Sequence, residues 1–363
     1  MSGLDSELAA AIQREGPLSV ARFMSLALHH PTSGYYSGRD PLGPEGDFVT
    51  APELSQAFGE VVGAWLAQAW LDLGRPAPFR LVELGPGRGT LLADALRATR
   101  AVDGFHDVLR LHLVETSARL RAAQAARLAG FDPSWHSGLG EVPSGPLLLI
   151  ANEFFDALPV HQLVATARGW VERCVDLDPE GRLAFGLAEC PSPLGADLPD
   201  APPGTIMEVS RARTELAREI GRRIADDGGV ALVIDYGAWA EGPTGDTLQA
   251  TRRHAPCDPL DAPGTADLTT HVDFRALAAA AAAGGASVYG PVPQGTFLAA
   301  LGIHLRTAKL VERATPDQHR ALRAALFRLT DASAMGELFK VLVLAGPVAP
   351  APPAFHQPTL RPC

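Results

Sequence analysis

Apolar and polar residues first alternate at helical spacing along this chain and then give way to short unbroken apolar runs. The segments SELAAAIQREG (6–16) and LSVARFMSLALHH (18–30) carry apolar residues three and four apart, with Ser-led starts and Gly or Pro nearby, and predict two opening helices. Residues 31–53 are dense in Gly, Pro, Ser and Asp and predict an ordered loop, after which 54–74 resumes a strongly apolar helix. From Phe79 the rhythm changes. FRLVEL (79–84), LRLHLVE (109–115), PLLLIAN (146–152) and GVALVIDYG (229–237) are flat in hydrophobicity, as strands are when helices cover both faces of a parallel sheet. Between the third and fourth runs, residues 160–189 alternate and contain a Pro-Glu-Gly turn, which predicts an inserted antiparallel hairpin. A long loop follows Gly237, then an Ala-rich helix (272–285), further helices from Gln294 to Thr330 and a last strand, ELFKVLVLAG (337–346). The chain reads as an α/β protein in four parts: an N-terminal helical cap and loop (1–75), a core (76–240) with an insert at about 160–205, a helical C-terminal part (241–346) completing the sheet, and a disordered Pro-rich tail (347–363).

Composition narrows the class. With 363 residues, 47% of them hydrophobic, the chain can bury a substantial core without staples. The four cysteines are scattered with no C-x-x-C pair, which fits a reducing cytoplasm, and the opening residues lack a basic segment followed by a long apolar run. No apolar run approaches the ~20 residues that cross a bilayer. A formal charge of −10 argues against a nucleic-acid partner, which would need clustered Lys and Arg. The expectation is a cytoplasmic protein without membrane insertion.

The junction LVELGPGRGTLL (81–92) carries the first candidate chemistry. Gly85, Gly87 and Gly89, interleaved with Pro86, remove side chains where a strand must turn tightly into a helix and where a ligand must come close. A dinucleotide site expects G-x-G-x-x-G, and here the third glycine stands one residue early. Glu83, just before the turn, would repel a pyrophosphate but suits the cationic methionine end of S-adenosylmethionine. Glu115 ends the second run, where a carboxylate can accept both ribose hydroxyls. The plain alternatives are a ligand-free turn and a helix-capping acid. No metal-binding spacing, P-loop or Ser-centred elbow appears.

A second cluster lies in LLLIANEFFDALP (147–159), where Asn152, Glu153 and Asp156 emerge beyond the carboxyl end of a strand. Methyl transfer is an in-line displacement governed by orientation and electrostatics. An arginine acceptor carries a guanidinium whose pKa lies above ~12. A carboxylate such as Glu153, with Asp156 second, can fix its plane and localise charge away from the reacting nitrogen. Capping of a helix beginning near Phe154 is the alternative.

The blocks GYYSGRDPLGPEGDFVTAPELSQAFGE, VELGPGRGTL, NEFFDALP, ALVIDYG, GDTLQA, PGTADLTTHVDF and MGELFKV occur in this order along residues 17–344, and through them the chain resembles the MidA family. That family resembles class I S-adenosylmethionine-dependent methyltransferases, and its mitochondrial members are protein arginine methyltransferases that support assembly of respiratory complex I. The resemblance implies a Rossmann-like class I methyltransferase sheet with helices on both faces, S-adenosylmethionine as cofactor and a protein client with a target arginine, such as a complex I core subunit. It implies that Glu83, Gly85, Pro86, Gly87, Gly89, Glu115 and Asn152 bind the cofactor, and that the GDFVTAPE block with Asp47, Thr50, Pro52 and Glu53 folds over it or over the target arginine. Glu153 and Asp156 fall in the catalytic position, while Asp235 and Tyr236 border the target pocket; His271 in THVDF is a candidate proton acceptor, with a satisfied helix-start residue as the alternative. A small-molecule acceptor, or a cofactor-binding assembly factor without essential catalysis, remains a rival. An exposed stripe on the helix of residues 58–74 would make a homodimer.

Overall fold

The computed structural model describes residues 3–38, 50–239 and 241–362. The chain forms two compact units, each assembled from separated stretches: 49–155, 215–239 and 274–363 in the larger, 1–48, 156–214 and 240–273 in the smaller. This corrects the expected consecutive parts 1–75, 76–240 and 241–346. The opening helices Gly3–Glu15 and Val20–His29 bury Leu4, Leu8, Phe23 and Met24 with Val160, Val175 and Leu268 of the smaller unit. Apolar stripes pack where a matching apolar surface exists, and in this case that surface is built by later segments.

The larger unit is organised by one sheet. Its strands are β1 (Phe79–Leu84), β2 (Leu109–Val114), β3 (Ser134–His136), β4 (Leu147–Asn152), β5 (Gly229–Ala238), β6 (Ser287–Pro293) and β7 (Phe339–Ala345). They lie in the order β6-β7-β5-β4-β1-β2-β3. Strands β1 to β5 are parallel, and β7 runs antiparallel to both β5 and β6. Every position of β4 is buried, which accounts for its unbroken apolar sequence. Because β2 and β3 lie to one side of β1 while β4 and β5 lie to the other, the strand order reverses between β1 and β4. Open α/β sheets bind ligands beyond the strand ends at such a switch point.

Two strands escape the apolar pattern. Strand β3 has three residues, Ser, Trp and His, too few to show a period. Strand β6 contains Gly290, Pro291 and Pro293, ordinarily strand breakers, and accommodates them at the sheet edge with a register shift between Tyr289 and Val292. The tail at 347–363 was expected to be disordered, and its described residues, to 362, instead pack. Phe355 is buried beside Tyr289 and Phe297, the Trp65 indole N–H donates to the Pro353 carbonyl at 2.9 Å, and Leu360 bridges to Val288. Prolines deny the tail N–H donors but leave its carbonyls able to accept.

In the smaller unit the predicted hairpin is part of a larger antiparallel sheet. Its strands are Leu18–Ser19, His161–Thr166, Gly169–Leu177, Leu183–Pro191 and Ile206–Val209, so the sheet draws on residues on both sides of the expected 160–205 insert. The loop expected after Gly237 holds a second small sheet, Gln249–Arg252, Ala255–Cys257 and Asp267–Thr269.

Candidate active site

At the switch point, register sets the residues. Glu83 pairs with Leu113 on one side and Ile150 on the other, and Asn152 pairs with Ile234. The chain leaves β1 through a turn closed by the Gly89 N–H on the Pro86 carbonyl at 2.7 Å. Gly85, Gly87 and Gly89 all have positive φ, at 60°, 52° and 75°, in the left-handed region that glycine enters without steric cost. A Cβ on Gly85 would also lie 2.7 Å from the Phe154 ring, so the turn has no room for another residue there. Pro86 is buried beneath the turn.

Two acids and an amide lie at or just past the ends of these strands. Glu83 is 3% exposed, its Oε2 has no hydrogen-bond partner, and burial pushes its carboxyl up to about 8. Glu115 is 9% exposed and its carboxyl is also raised, chiefly by burial and against the pull of its hydrogen bonds. One Glu115 oxygen accepts the Ser117 N–H at 2.7 Å, so the acid does serve the turn into the helix Ala118–Arg127. The other meets Gln124 Nε2 at only 3.4 Å. Asn152 is buried; its Nδ2 donates to Glu153 Oε1 at 3.1 Å and its Oδ1 has no partner. Buried acceptors without donors are costly, and they mark where a donor-bearing ligand belongs.

Glu153 sits at the end of β4 with φ +51°, a strained value for a residue other than glycine. The turn is over-determined by its surroundings. The Glu153 N–H donates to the Ile234 carbonyl at 2.8 Å, and the fully buried Asp235 carboxylate accepts the N–H groups of Phe154 and Phe155 at 3.2 and 2.9 Å. Residues 153–160 form bends and turns, so the expected alternative of a helix beginning near Phe154 is not what these acids serve. Asp235 therefore braces the Glu153 turn, a role its place in IDYG did not reveal.

The segment after Thr50 closes one side. Thr50 stands at the N-cap position of the short helix Ala51–Leu54 without a side-chain capping bond, and Pro52 lies in the helix's first turn. The Ala51 N–H donates to Glu153 Oε1 at 3.0 Å, and Glu53 accepts the Thr90 hydroxyl at 2.5 Å, itself bonded by Arg127. This segment is thus tied through Glu53 to the helix after the glycine turn and through Ala51 to the end of β4. Asp47 of the same block lies outside the described residues.

Asp156, Tyr236 and His271 divide between the units. Asp156, in the smaller unit, is buried; its carboxylate accepts the Ala157 N–H, and its carbonyl accepts from Thr270 and Arg213. The His271 N–H donates to Thr247, its carbonyl accepts from Arg213, and burial lowers its imidazole below the ordinary range. Tyr236 lies in the larger unit, packed on Phe339. Sequence reasoning missed Thr90, Arg127 and Gln124. Of these only Gln124 left a trace, an amide on the apolar face of a helix. Among the described residues no three His, Cys, Asp or Glu side chains are grouped as a metal would require, and no helix is long and apolar enough to cross a membrane.

A doubly wound sheet whose switch point offers a glycine turn, buried acids and unpartnered acceptors defines a nucleoside-binding α/β enzyme of the methyltransferase class. The chain belongs to the family described as "Putative S-adenosyl-L-methionine-dependent methyltransferase", whose profile matches residues 61–292. It is 40% identical over 360 residues to the mouse mitochondrial protein arginine methyltransferase NDUFAF7, covering 92% of this chain and 82% of the mouse protein. Its Drosophila melanogaster homolog is 38% identical, covering 94% and 84%. A Burkholderia thailandensis protein solved bound to S-adenosyl-homocysteine is 30% identical, with a TM-score of 0.80 over 94% of this chain and 91% of that one. S-adenosyl-L-methionine is accordingly the methyl donor of this enzyme, and the orphaned Glu83 and Asn152 acceptors, both lacking a donor, fit its cationic amino-acid end.

Proposed function

We propose that this enzyme methylates arginine side chains on a protein client. The observation that carries the proposal is Glu153: a carboxylate held in a strained turn at the switch point by Ala51, Asn152 and the Asp235-braced backbone, beside the glycine turn that seats the donor. S-adenosyl-L-methionine supplies an activated methyl group on a sulfonium. Gly85, Pro86, Gly87 and Gly89 form the seat, Glu83 and Asn152 accept from the amino-acid end, Glu115 accepts from the ribose, and Thr50, Pro52 and Glu53 wall the site. Glu153 holds the acceptor guanidinium in plane and draws its charge to the nitrogens that do not react. Similarity to the curated arginine methyltransferases supports this choice of acceptor. As client we propose a core subunit of respiratory complex I, which the MidA resemblance favours.

The test is incubation of the protein with methyl-labelled donor and an extract from cells lacking it. Label recovered as methylarginine after acid hydrolysis of the protein fraction is the expected result. Label confined to small solutes would replace the protein acceptor with a metabolite.

A further inference from the structure

Gln124 has no exposed surface although it is a primary amide, and it lies on the helix Ala118–Arg127 where its neighbours in three dimensions come from three different segments. The Trp135 indole N–H of β3 donates to Gln124 Oε1 at 2.8 Å. Gln124 Nε2 donates to the Gly87 carbonyl at 2.7 Å and lies 3.4 Å from Glu115 Oε2. An indole can only donate, so the amide has one acceptable orientation: Oε1 toward Trp135, both N–H groups toward the glycine turn and the acid. The flipped amide would set donor against donor at Trp135 and oxygen against oxygen at Gly87 and Glu115.

We propose that Gln124, oriented by Trp135, is a positioning residue that fixes the glycine turn and the Glu115 carboxylate relative to each other and so makes the site selective for a donor bearing an intact ribose diol. The inference rests on the reading of Gly87 and Glu115 as donor-binding residues. One Glu115 oxygen is already committed to the Ser117 N–H, so the carboxylate can turn only about that bond, and Gln124 sets where the second oxygen stands. An acceptor fixed before the ligand arrives spares the ordering cost at binding. Three otherwise separate segments, the turn after β1, the acid after β2 and strand β3, then act as one recognition surface through a single side chain.

Calorimetric titration of the purified protein with S-adenosylhomocysteine and its 2′-deoxy analogue tests this. Trp135→Phe keeps the ring packing and removes only the N–H; Gln124→Leu removes the amide. Both variants are expected to weaken S-adenosylhomocysteine binding about tenfold, the size of a lost hydrogen bond to a charged group, and to bind the two ligands with more nearly equal affinity. A merely structural amide would lower the melting temperature and leave the preference for the diol unchanged, and that result in Trp135→Phe overturns the proposal even if Gln124→Leu does not fold. Failure of the wild-type protein to bind S-adenosylhomocysteine would instead refute the donor-site reading on which the inference stands.

Discussion

At Glu83 burial and charge oppose each other. Its carboxyl is pushed up to about 8 by burial, whereas in the unfolded chain it titrates near the ordinary 4.5. The folded state thus holds a proton that the unfolded state has lost, and the stability this supplies is fully present below about 4.5 and lost as pH rises through about 8. Glu83→Gln removes that dependence, so urea titrations should show the variant gaining on the wild type steadily from pH 5 to pH 8; parallel curves would contradict it. The same substitution should weaken S-adenosylhomocysteine binding, because the ligand's α-ammonium group favours the carboxylate. For that reason wild-type binding at pH 7 should release protons, seen as a calorimetric heat that changes with the ionisation enthalpy of the buffer. Glu153 makes a different prediction. Glu153→Gln keeps shape and turn but removes the charge that holds a guanidinium, so methyl transfer should fall by roughly a hundredfold while S-adenosylhomocysteine affinity stays within about threefold. Comparable losses of binding and turnover would mean that the residue serves the donor.

Among the elements, the tail and its strand β6 behave unlike their sequence. Phe355 closes an aromatic group with Tyr289 and Phe297, and Phe355→Ala should cost about 3 kcal/mol in denaturant unfolding, a value near zero indicating that the tail does not contribute to the core. How much of the molecule was legible follows from which signals reach along the chain. Strands β1, β2, β4 and β5 are buried on both faces and announce themselves as apolar runs, and the glycine turn is local, so its residues could be found from spacing alone. Strand β6 earns its place through pairing with β7, a partner some fifty residues away, which no local pattern encodes. The same holds for the site. Glu83, Glu115 and Asn152 lie at strand ends where a sheet gathers ligands, whereas the bracing of Glu153 by Asp235 and of the glycine turn by Gln124 spans 80 and 37 positions and becomes visible only once the sheet is assembled. The MidA resemblance carried the reading from ligand seat to reaction, and the identity to arginine methyltransferases runs along nearly the whole chain.

For the whole molecule, stability is limited toward both acid and alkaline pH by titratable groups buried in or beside the sheet. His112, 3.0 Å from His136, is pushed down to about 4 by burial, with His136 and two arginines adding to it. Its contribution is present above the ordinary 6.5 and lost as pH falls through about 4, so His112→Gln should flatten the acid limb of a melting-temperature profile between those values. With Glu83 and Glu115 penalising high pH, the wild-type maximum should shift toward alkaline pH when the donor site is filled. The claim beneath all of this is that the glycine turn at the β1–β4 switch point holds the methyl donor. Calorimetric titration with S-adenosylhomocysteine of the wild type and of Gly87→Val tests it most directly, Gly87 having a φ of 52° that valine resists. A donor seated on this turn gives saturable one-site heat for the wild type and none for a Gly87→Val protein that still melts cooperatively. Equal binding by the two proteins, or no heat from the wild type, would contradict it.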